Sequence, residues 1–243
     1  MKLNNKRIVI TGGTSGIGYK LVSFLQINNE VIIIARDSNK LKKLAQQFNT
    51  IITFQADLSN PEEVEIVSTT ILNRFQSIDV LINNVAVQCP PTFIDDDFEY
   101  KNISYEINLN FTCICSLTYL LLPLLRHKNQ TVILNVNSGL ALAPKTSSAI
   151  YCATKGALKI FSQSLRYQLE NTNITVQQAF LELVDTAMTK GRGNNKMSAE
   201  KAAKEIIKGV EYNISDHDIG KVKILRLLLC LAPPLARKIM KKY

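Results

Sequence analysis

Tyr151 and Lys155 stand four residues apart, and together they are the clearest candidates for chemistry in this sequence. On a helix this spacing places both side chains on one face, about 5–6 Å apart at Cβ. An ammonium so close favours the phenolate, so it is expected to lower the tyrosine pKa from its usual value of about 10. Such a tyrosine exchanges protons with a substrate oxygen, which is general acid–base catalysis. Ser138 follows an apolar run at residues 131–136, and its hydroxyl is expected to hydrogen-bond the same oxygen.

The Tyr-x-x-x-Lys spacing is a weak signal by itself, because such a pair more often lies on a solvated helix face. The catalytic interpretation therefore depends on what the rest of the chain brings to the same place.

A glycine-rich turn near the N-terminus is typical of a dinucleotide site. An apolar strand at residues 7–11 leads into residues 11–18 (Thr-Gly-Gly-Thr-Ser-Gly-Ile-Gly), and apolar residues at helical spacing follow. Strand, glycine-rich turn and helix are the context that a pyrophosphate requires, because the backbone turns tightly and the helix N-terminus offers free N–H groups. The residues predicted to contact the cofactor here are Gly12, Thr14, Ser15, Gly16, Ile17 and Gly18.

The end of the second strand, residues 30–35, predicts which nicotinamide cofactor is used. A carboxylate at this place selects NAD by binding the ribose 2′-hydroxyl. The sequence instead has Ala35 followed by Arg36, which is suited to pair with a 2′-phosphate, so NADP(H) is preferred over NAD(H). Asp37 is interpreted as the N-cap of the next helix.

Strands and helices alternate along the chain, which predicts a single Rossmann-like α/β domain: a doubly wound parallel sheet with helices on both faces. Further strands are expected at residues 51–56, 78–82, 131–136 and 174–180. Ligands of such sheets bind at the carboxyl ends of the strands. The candidate residues follow strand ends, including Asp57 and Leu58 after the third strand and Asn84 after the fourth.

Composition and charge exclude several classes of protein. The 243 residues are 46% hydrophobic and 20% charged, without a run of eighteen apolar residues, so no membrane-spanning helix is expected. The N-terminus does not resemble a signal peptide, and the scattered cysteines indicate reduced thiols in a cytoplasmic protein with neither disulfides nor a metal site. Residues 219–243 carry seven of the positive charges and no acid, so the remainder is nearly neutral and nucleic-acid binding is not expected.

Taken together, these motifs resemble the classical short-chain dehydrogenase/reductases over nearly the whole chain. The family's glycine motif matches residues 11–18, its Asn-Asn-Ala-Gly matches residues 83–86 (Asn-Asn-Val-Ala), and its Tyr-x-x-x-Lys matches Tyr151 and Lys155. The serine falls on Ser138, thirteen residues before the tyrosine, and the catalytic asparagine is placed on Asn108. Within the family, several short sequence segments resemble those of the DltE-type group of bacterial reductases.

The resemblance implies a hydride-transferring oxidoreductase that acts on a small carbonyl or alcohol substrate as a homodimer or homotetramer. Tyr151 would be the acid–base residue, Lys155 would hold the nicotinamide ribose, Ser138 would orient the carbonyl, and Asn108 would hold a helix kink and a water. Val184 and Thr186 would contact the cofactor. The family's Pro-Gly after the sixth strand is replaced by Leu181 and Glu182, which puts the covering of the nicotinamide in doubt.

Residues 219–243 are expected to form a basic, apolar helical extension packed on a core of residues 1–218, in place of the short closing strand of many family members. Pro233 and Pro234 divide the extension into two helical pieces. One interpretation is a peripheral membrane contact at the inner face of the membrane. The favoured one is a helix pair packed over the substrate cleft or a second subunit. A non-catalytic nucleotide-sensing or membrane interaction protein remains the alternative function.

Overall fold

Seven parallel strands form the central sheet of the computed structural model, which describes residues 1–242. The strands are β1 (Arg7–Thr11), β2 (Glu30–Ala35), β3 (Ile51–Gln55), β4 (Val80–Asn83), β5 (Thr131–Ser138), β6 (Ile174–Leu181) and β9 (Asp216–Asp218). Their order across the sheet is β3-β2-β1-β4-β5-β6-β9, and every neighbouring pair is parallel. The strand order reverses between β1 and β4, which opens a crevice at the carboxyl ends of those strands. The predicted fold class is confirmed.

Helices cover both faces of the sheet. On one face, α1 (Gly16–Leu25), α2 (Ser38–Gln47) and α7 (Ala199–Glu211) bury apolar side chains against the strands. On the other, α3 (Pro61–Arg74), α5 (Cys113–Leu125) and α6 (Ala149–Gln168) do the same. The strands alternate their side chains between these two cores, which is why their sequences are apolar almost throughout.

Helix starts were predictable because their caps are local. Asp37 accepts a hydrogen bond from the Lys40 amide and caps α2, as predicted. Asn60 accepts from the Glu62 amide and caps α3, with Pro61 in the first turn. These side chains satisfy N–H groups that the helix itself leaves without partners.

The long apolar helix before β5 contains an irregularity. It runs as α4 (Lys101–Ile107), a π-helical turn (Asn108–Thr112) and α5. By length and composition alone the stretch Lys101–Leu125 would suffice to cross a membrane, and 44% of its apolar window is buried inside the protein. Its buried leucines pack against α3 and the sheet, as those of a core helix do.

The C-terminal region corrects one expectation. A short closing strand is present: β9 pairs with β6 at the sheet edge, before the extension begins. Its three residues, Asp-His-Asp, have no apolar pattern that would have revealed a strand. Two short strands, β7 (Val184–Asp185) and β8 (Met197–Ser198), pair separately, and α8 (Val222–Leu231) and α9 (Pro233–Lys241) end the described chain.

Candidate active site at the carboxyl edge of the sheet

A cavity of about 840 Å³ lies at the carboxyl ends of the strands. Its walls include every predicted site residue except Asn108. Those residues are Gly12, Thr14, Ser15, Gly16, Ile17, Gly18, Arg36, Asp57, Leu58, Asn84, Ser138, Tyr151, Lys155, Val184 and Thr186. Among residues 1–242 no cluster of side chains is suited to hold a metal ion.

The glycine-rich turn is shaped to receive a phosphate group. Gly12 and Gly16 have positive φ angles of 70° and 53°, which side chains with a Cβ rarely adopt. Ser15 is the N-cap of α1, yet its side chain makes no capping hydrogen bond, so the first N–H groups of α1 stay available to a ligand. A helix N-terminus in this state binds anions.

The Asn84 side chain holds the backbone of the glycine-rich turn in place. Its side-chain amide donates to the carbonyl oxygens of Thr11 and Gly12, at 3.0 and 3.2 Å. The Thr11 hydroxyl in turn accepts from the backbone amides of Asn84 and Val85. The end of β4 therefore holds the turn in position.

Two cations lie where the sequence predicts recognition of the adenosine ribose. The Arg36 guanidinium is largely exposed and pairs with Asp57 at 3.4 Å and with the Tyr105 hydroxyl at 3.2 Å. Lys40 also lines the cavity, although the sequence did not single it out. Asp37 is occupied by the Lys40 amide, so its carboxylate serves the helix cap.

Ser138, Tyr151 and Lys155 converge on one wall of the cavity. The Ser138 hydroxyl accepts a hydrogen bond from the Leu140 amide at 3.2 Å and lies close enough to the Tyr151 phenol to lower its pKa. The Lys155 ammonium lies 5.7 Å from the centre of the Tyr151 ring and donates to the Val136 carbonyl at 2.9 Å. Lys155 is only 3% exposed, so this cation is held inside the protein.

The expected low pKa of Tyr151 is wrong for the protein alone. Burial raises the pKa of Tyr151 to about 12, and this outweighs the hydrogen bond from Ser138 and the charge of Arg192, which lower it. Burial also lowers the pKa of Lys155 to about 8, which weakens the positive charge expected to act on the phenol. The phenol is therefore protonated at neutral pH and ready to donate.

Asn108, the asparagine predicted from the sequence, does not line the cavity, and the buried asparagine next to α6 is Asn110. Asn110 is fully buried; its side chain accepts from the Val87 amide and donates to the Val87 carbonyl, both at 2.8 Å. It also donates to the Thr154 hydroxyl at 3.4 Å, next to Lys155 on α6. The Asn108 side chain makes no hydrogen bond within residues 1–242. The π-helical turn that begins at Asn108 adds a residue per turn, so an ordinary helical period misplaces the inward position.

The departure from the family's Pro-Gly has a structural explanation. The Glu182 carboxylate accepts from the Lys221 amide at 3.2 Å, just before α8 begins. Leu181 and Glu182 line the cavity without filling it. Thr186 lies against Gly16, so the segment after β6 still covers the glycine-rich turn.

Comparison with known proteins places the chain in a family. The short chain dehydrogenase family model matches residues 6–197. The chain belongs to the short chain dehydrogenase family. It is therefore an oxidoreductase of that family, as the sequence motifs predicted.

Relatives within the short chain dehydrogenase family include bacterial and mammalian proteins. The uncharacterized oxidoreductase DltE of Bacillus subtilis (strain 168) is 36% identical over 189 residues, which is 77% of this chain and 75% of that protein. The very-long-chain 3-oxoacyl-CoA reductase of Rattus norvegicus is 32% identical over 212 residues, 83% of this chain and 67% of that protein. A short chain dehydrogenase from Burkholderia cenocepacia J2315, solved in complex with NADP, superposes with a TM-score of 0.88 at 19% identity, over 99% of both chains.

Proposed function

We propose that the protein is an NADP(H)-dependent oxidoreductase that transfers a hydride between nicotinamide and a carbonyl or secondary alcohol, with Tyr151 as the acid–base residue. One observation carries this proposal: Ser138, Tyr151 and the buried Lys155 lie together in the cavity wall, with the Lys155 ammonium 5.7 Å from the centre of the Tyr151 ring. The Ser138 and Tyr151 hydroxyls would hold one substrate oxygen between them.

The cavity fits a nicotinamide dinucleotide. The uncapped start of α1 would bind the pyrophosphate, and Arg36 and Lys40 would bind a 2′-phosphate. Lys155 would hold the nicotinamide ribose, with Val184 and Thr186 over the ring. When bound, the nicotinamide supplies or accepts the hydride. Bound NADP in the superposed Burkholderia cenocepacia structure supports a nicotinamide cofactor.

The residues of this chain supply position and a proton. The Ser138 hydroxyl would orient and polarise the substrate carbonyl. Tyr151 would give its proton to the substrate oxygen, because its raised pKa keeps the phenol protonated until a negative charge develops there. The Lys155 ammonium would then stabilise the phenolate that remains. The rat relative is a very-long-chain 3-oxoacyl-CoA reductase, which supports carbonyl reduction by this chain.

Cofactor preference tests the proposal directly. We expect purified protein to bind NADPH more tightly than NADH, because Arg36 and Lys40 would pair with the 2′-phosphate of NADPH. Arg36→Ala should weaken NADPH binding by about tenfold or more, the effect of one charge-assisted hydrogen bond, and leave NADH binding nearly unchanged. Lys43→Ala, which removes an exposed cation of α2 outside the cavity, is the matched control. Equal binding of both cofactors, unaffected by Arg36→Ala, would refute the NADP preference.

Asn110 is proposed as the residue that positions the catalytic helix. Asn110→Ala leaves the Val87 amide and carbonyl without partners, so we expect the free energy of unfolding to fall by about 1–3 kcal/mol and turnover to fall with it. Asn108→Ala should change stability by less than about 0.5 kcal/mol. Urea denaturation and steady-state kinetics measure both quantities. If Asn108→Ala loses turnover while Asn110→Ala keeps it, Asn108, the asparagine predicted from the sequence, is the positioning residue.

A nucleotide-sensing protein without turnover is the alternative. Binding of NADPH without oxidation by any carbonyl in a broad screen would favour it. The convergence of Ser138, Tyr151 and Lys155 supports the enzyme, since a sensor needs the glycine-rich turn but not these three groups.

Exposed apolar side chains support two further contacts of a cytoplasmic protein. Tyr119 on α5 and Ile160 and Tyr167 on α6 are 76%, 63% and 65% exposed, which suits a homodimer or homotetramer through these helices. Leu227 and Leu231 of the basic extension are 58% and 73% exposed, which suits peripheral contact with the inner face of a membrane. Sedimentation with and without anionic vesicles separates the two: Ile160→Glu should dissociate the oligomer, and Leu231→Glu should release the protein from vesicles. A protein that sediments as a monomer and does not bind to the vesicles would refute both contacts.

A further inference from the structure

Helices α8 and α9 form one apolar wall of the active-site cavity. Ile224, Leu225 and Leu228 come from α8, and Ile239 and Met240 come from α9. We call these five side chains the α8–α9 trough. They line the same cavity as Ser138 and Tyr151.

The α8–α9 trough reaches the catalytic residues on one side and solvent on the other. Met240 is buried with Leu140 and Cys152 in a cluster against which Leu225 and Tyr151 pack. Ile224 and Ile239 line the cavity but are 60% and 48% exposed. The cavity therefore has an opening edged by apolar side chains from both helices.

Two cations near Tyr151 have no carboxylate partner. Lys145 lines the cavity, is partly buried and forms no ion pair within residues 1–242. Arg192 donates to the Gln88 side-chain oxygen at 2.6 Å and to the Met188 carbonyl, both neutral acceptors. Burial lowers the pKa of Lys145, and the nearby positive charge of Arg192 lowers it further. Lys145 lines the cavity and Arg192 does not, so an anion in the cavity would bind at Lys145, and the positive charge of Arg192 would add to the attraction.

We propose that the substrate is an amphipathic anion of the fatty-acyl type, whose apolar chain lies in the α8–α9 trough and whose anionic group binds at Lys145. That this molecule also carries the reacting carbonyl rests on the proposed function; the binding of chain and anion does not. Burial of the chain against an apolar surface contributes favourable binding free energy, and the anionic group neutralises the Lys145 ammonium, which has no ion-pair partner within residues 1–242.

Binding of simple carboxylates tests the inference without turnover. Octanoate, decanoate, dodecanoate and tetradecanoate are titrated against a fluorescent fatty acid bound to the intact protein. Affinity should rise by up to about three- to fourfold for each methylene that enters the trough. Dodecanoate should bind at least about tenfold more tightly than 1-dodecanol, because only the carboxylate interacts with the cations.

Matched variants locate the two parts of the site. Leu228→Asn should weaken dodecanoate binding by about tenfold or more, while Leu227→Asn, on the outer face of α8, should not. Lys145→Gln should abolish the difference between dodecanoate and 1-dodecanol, while Lys223→Gln, exposed on α8 outside the cavity, should preserve it. If Leu228→Asn fails to fold, Ile239→Asn compared with Leu235→Asn repeats the test on α9.

Several outcomes would overturn the inference: affinity independent of chain length, equal effects of Leu228→Asn and Leu227→Asn, or equal binding of carboxylate and alcohol by the unchanged protein. Its failure is distinct from failure of the proposed function. Reduction of small carbonyls by NADPH without any chain-length dependence of binding refutes only the inference. Chain-dependent binding without oxidation of NADPH by any carbonyl refutes only the proposed reaction.

Discussion

Tyr151→Phe should reduce turnover by about 10²–10⁴-fold while NADPH binding changes little, since the substitution removes one hydroxyl and keeps the ring. The phenol lies in the cavity wall close to the Ser138 hydroxyl, and the substitution removes the group that is proposed to donate the proton. The loss should appear in kcat as well as in kcat/KM, because a proton donor acts in the transition state. Steady-state oxidation of NADPH with an excess of carbonyl substrate measures it.

Tyr167→Phe is the control for Tyr151→Phe. Tyr167 lies on the same helix, is 65% exposed and accepts a hydrogen bond from Gln163, so its hydroxyl is remote from the cavity. Removal of the Tyr167 hydroxyl should leave turnover unchanged. Retained turnover in Tyr151→Phe would remove Tyr151 from the mechanism, and lost NADPH binding would make its role structural.

Gly18→Ala should damage the cofactor site and the fold together. A Cβ at Gly18 would collide with the Gly12 carbonyl oxygen and lie 2.6 Å from the Asn84 side-chain nitrogen that holds the turn. We expect the free energy of unfolding to fall by about 1–3 kcal/mol, as in other overpacked sites. NADPH affinity should fall by at least about tenfold, because a loss of only about 1.4 kcal/mol at the pyrophosphate is enough.

Gly156→Ala is the matched control, and it should raise the free energy of unfolding where Gly18→Ala lowers it. Gly156 lies in α6 beside Lys155, and no heavy atom outside its own helix lies within 4 Å of its Cβ position. Alanine is more favourable than glycine inside a helix by about 0.8–1.0 kcal/mol, so this variant should be more stable than the unchanged protein. Thermal unfolding compares the two variants. Equal stability of Gly18→Ala and the unchanged protein would mean that the turn can shift without loss.

The sequence was informative where structure depends on neighbours along the chain. The strand at residues 30–35, the Asp37 cap and the start of α3 at Pro61 each follow from a few adjacent residues. The glycine-rich turn was also predictable, because its backbone needs residues without a Cβ. The division into a core of residues 1–218 and an extension of residues 219–243 stays a prediction.

Features that depend on distant parts of the chain were missed. Asn108 and Asn110 cannot be told apart by sequence, since a π-helical turn decides which one faces Val87. The pKa of Tyr151 is set by its burial, to which Met240 contributes from the far end of the chain. Lys145 and Arg192 are ordinary surface cations by sequence, and only the fold brings the charge of Arg192 near Lys145 in the cavity wall.

The anchoring of α8 by Glu182 has a consequence for engineering and for divergence within the family. Gly220, with a φ of 66°, turns the chain into α8 against the Glu182 carboxylate, and the family match ends earlier, at residue 197. One wall of the cavity is thus formed by the helices that follow a single turn at Gly220. This wall is separate from the strand that carries Ser138 and from the helix that carries Tyr151. Chimaeras that exchange the segment after Gly220 between relatives should therefore change selectivity while leaving the reacting groups in place.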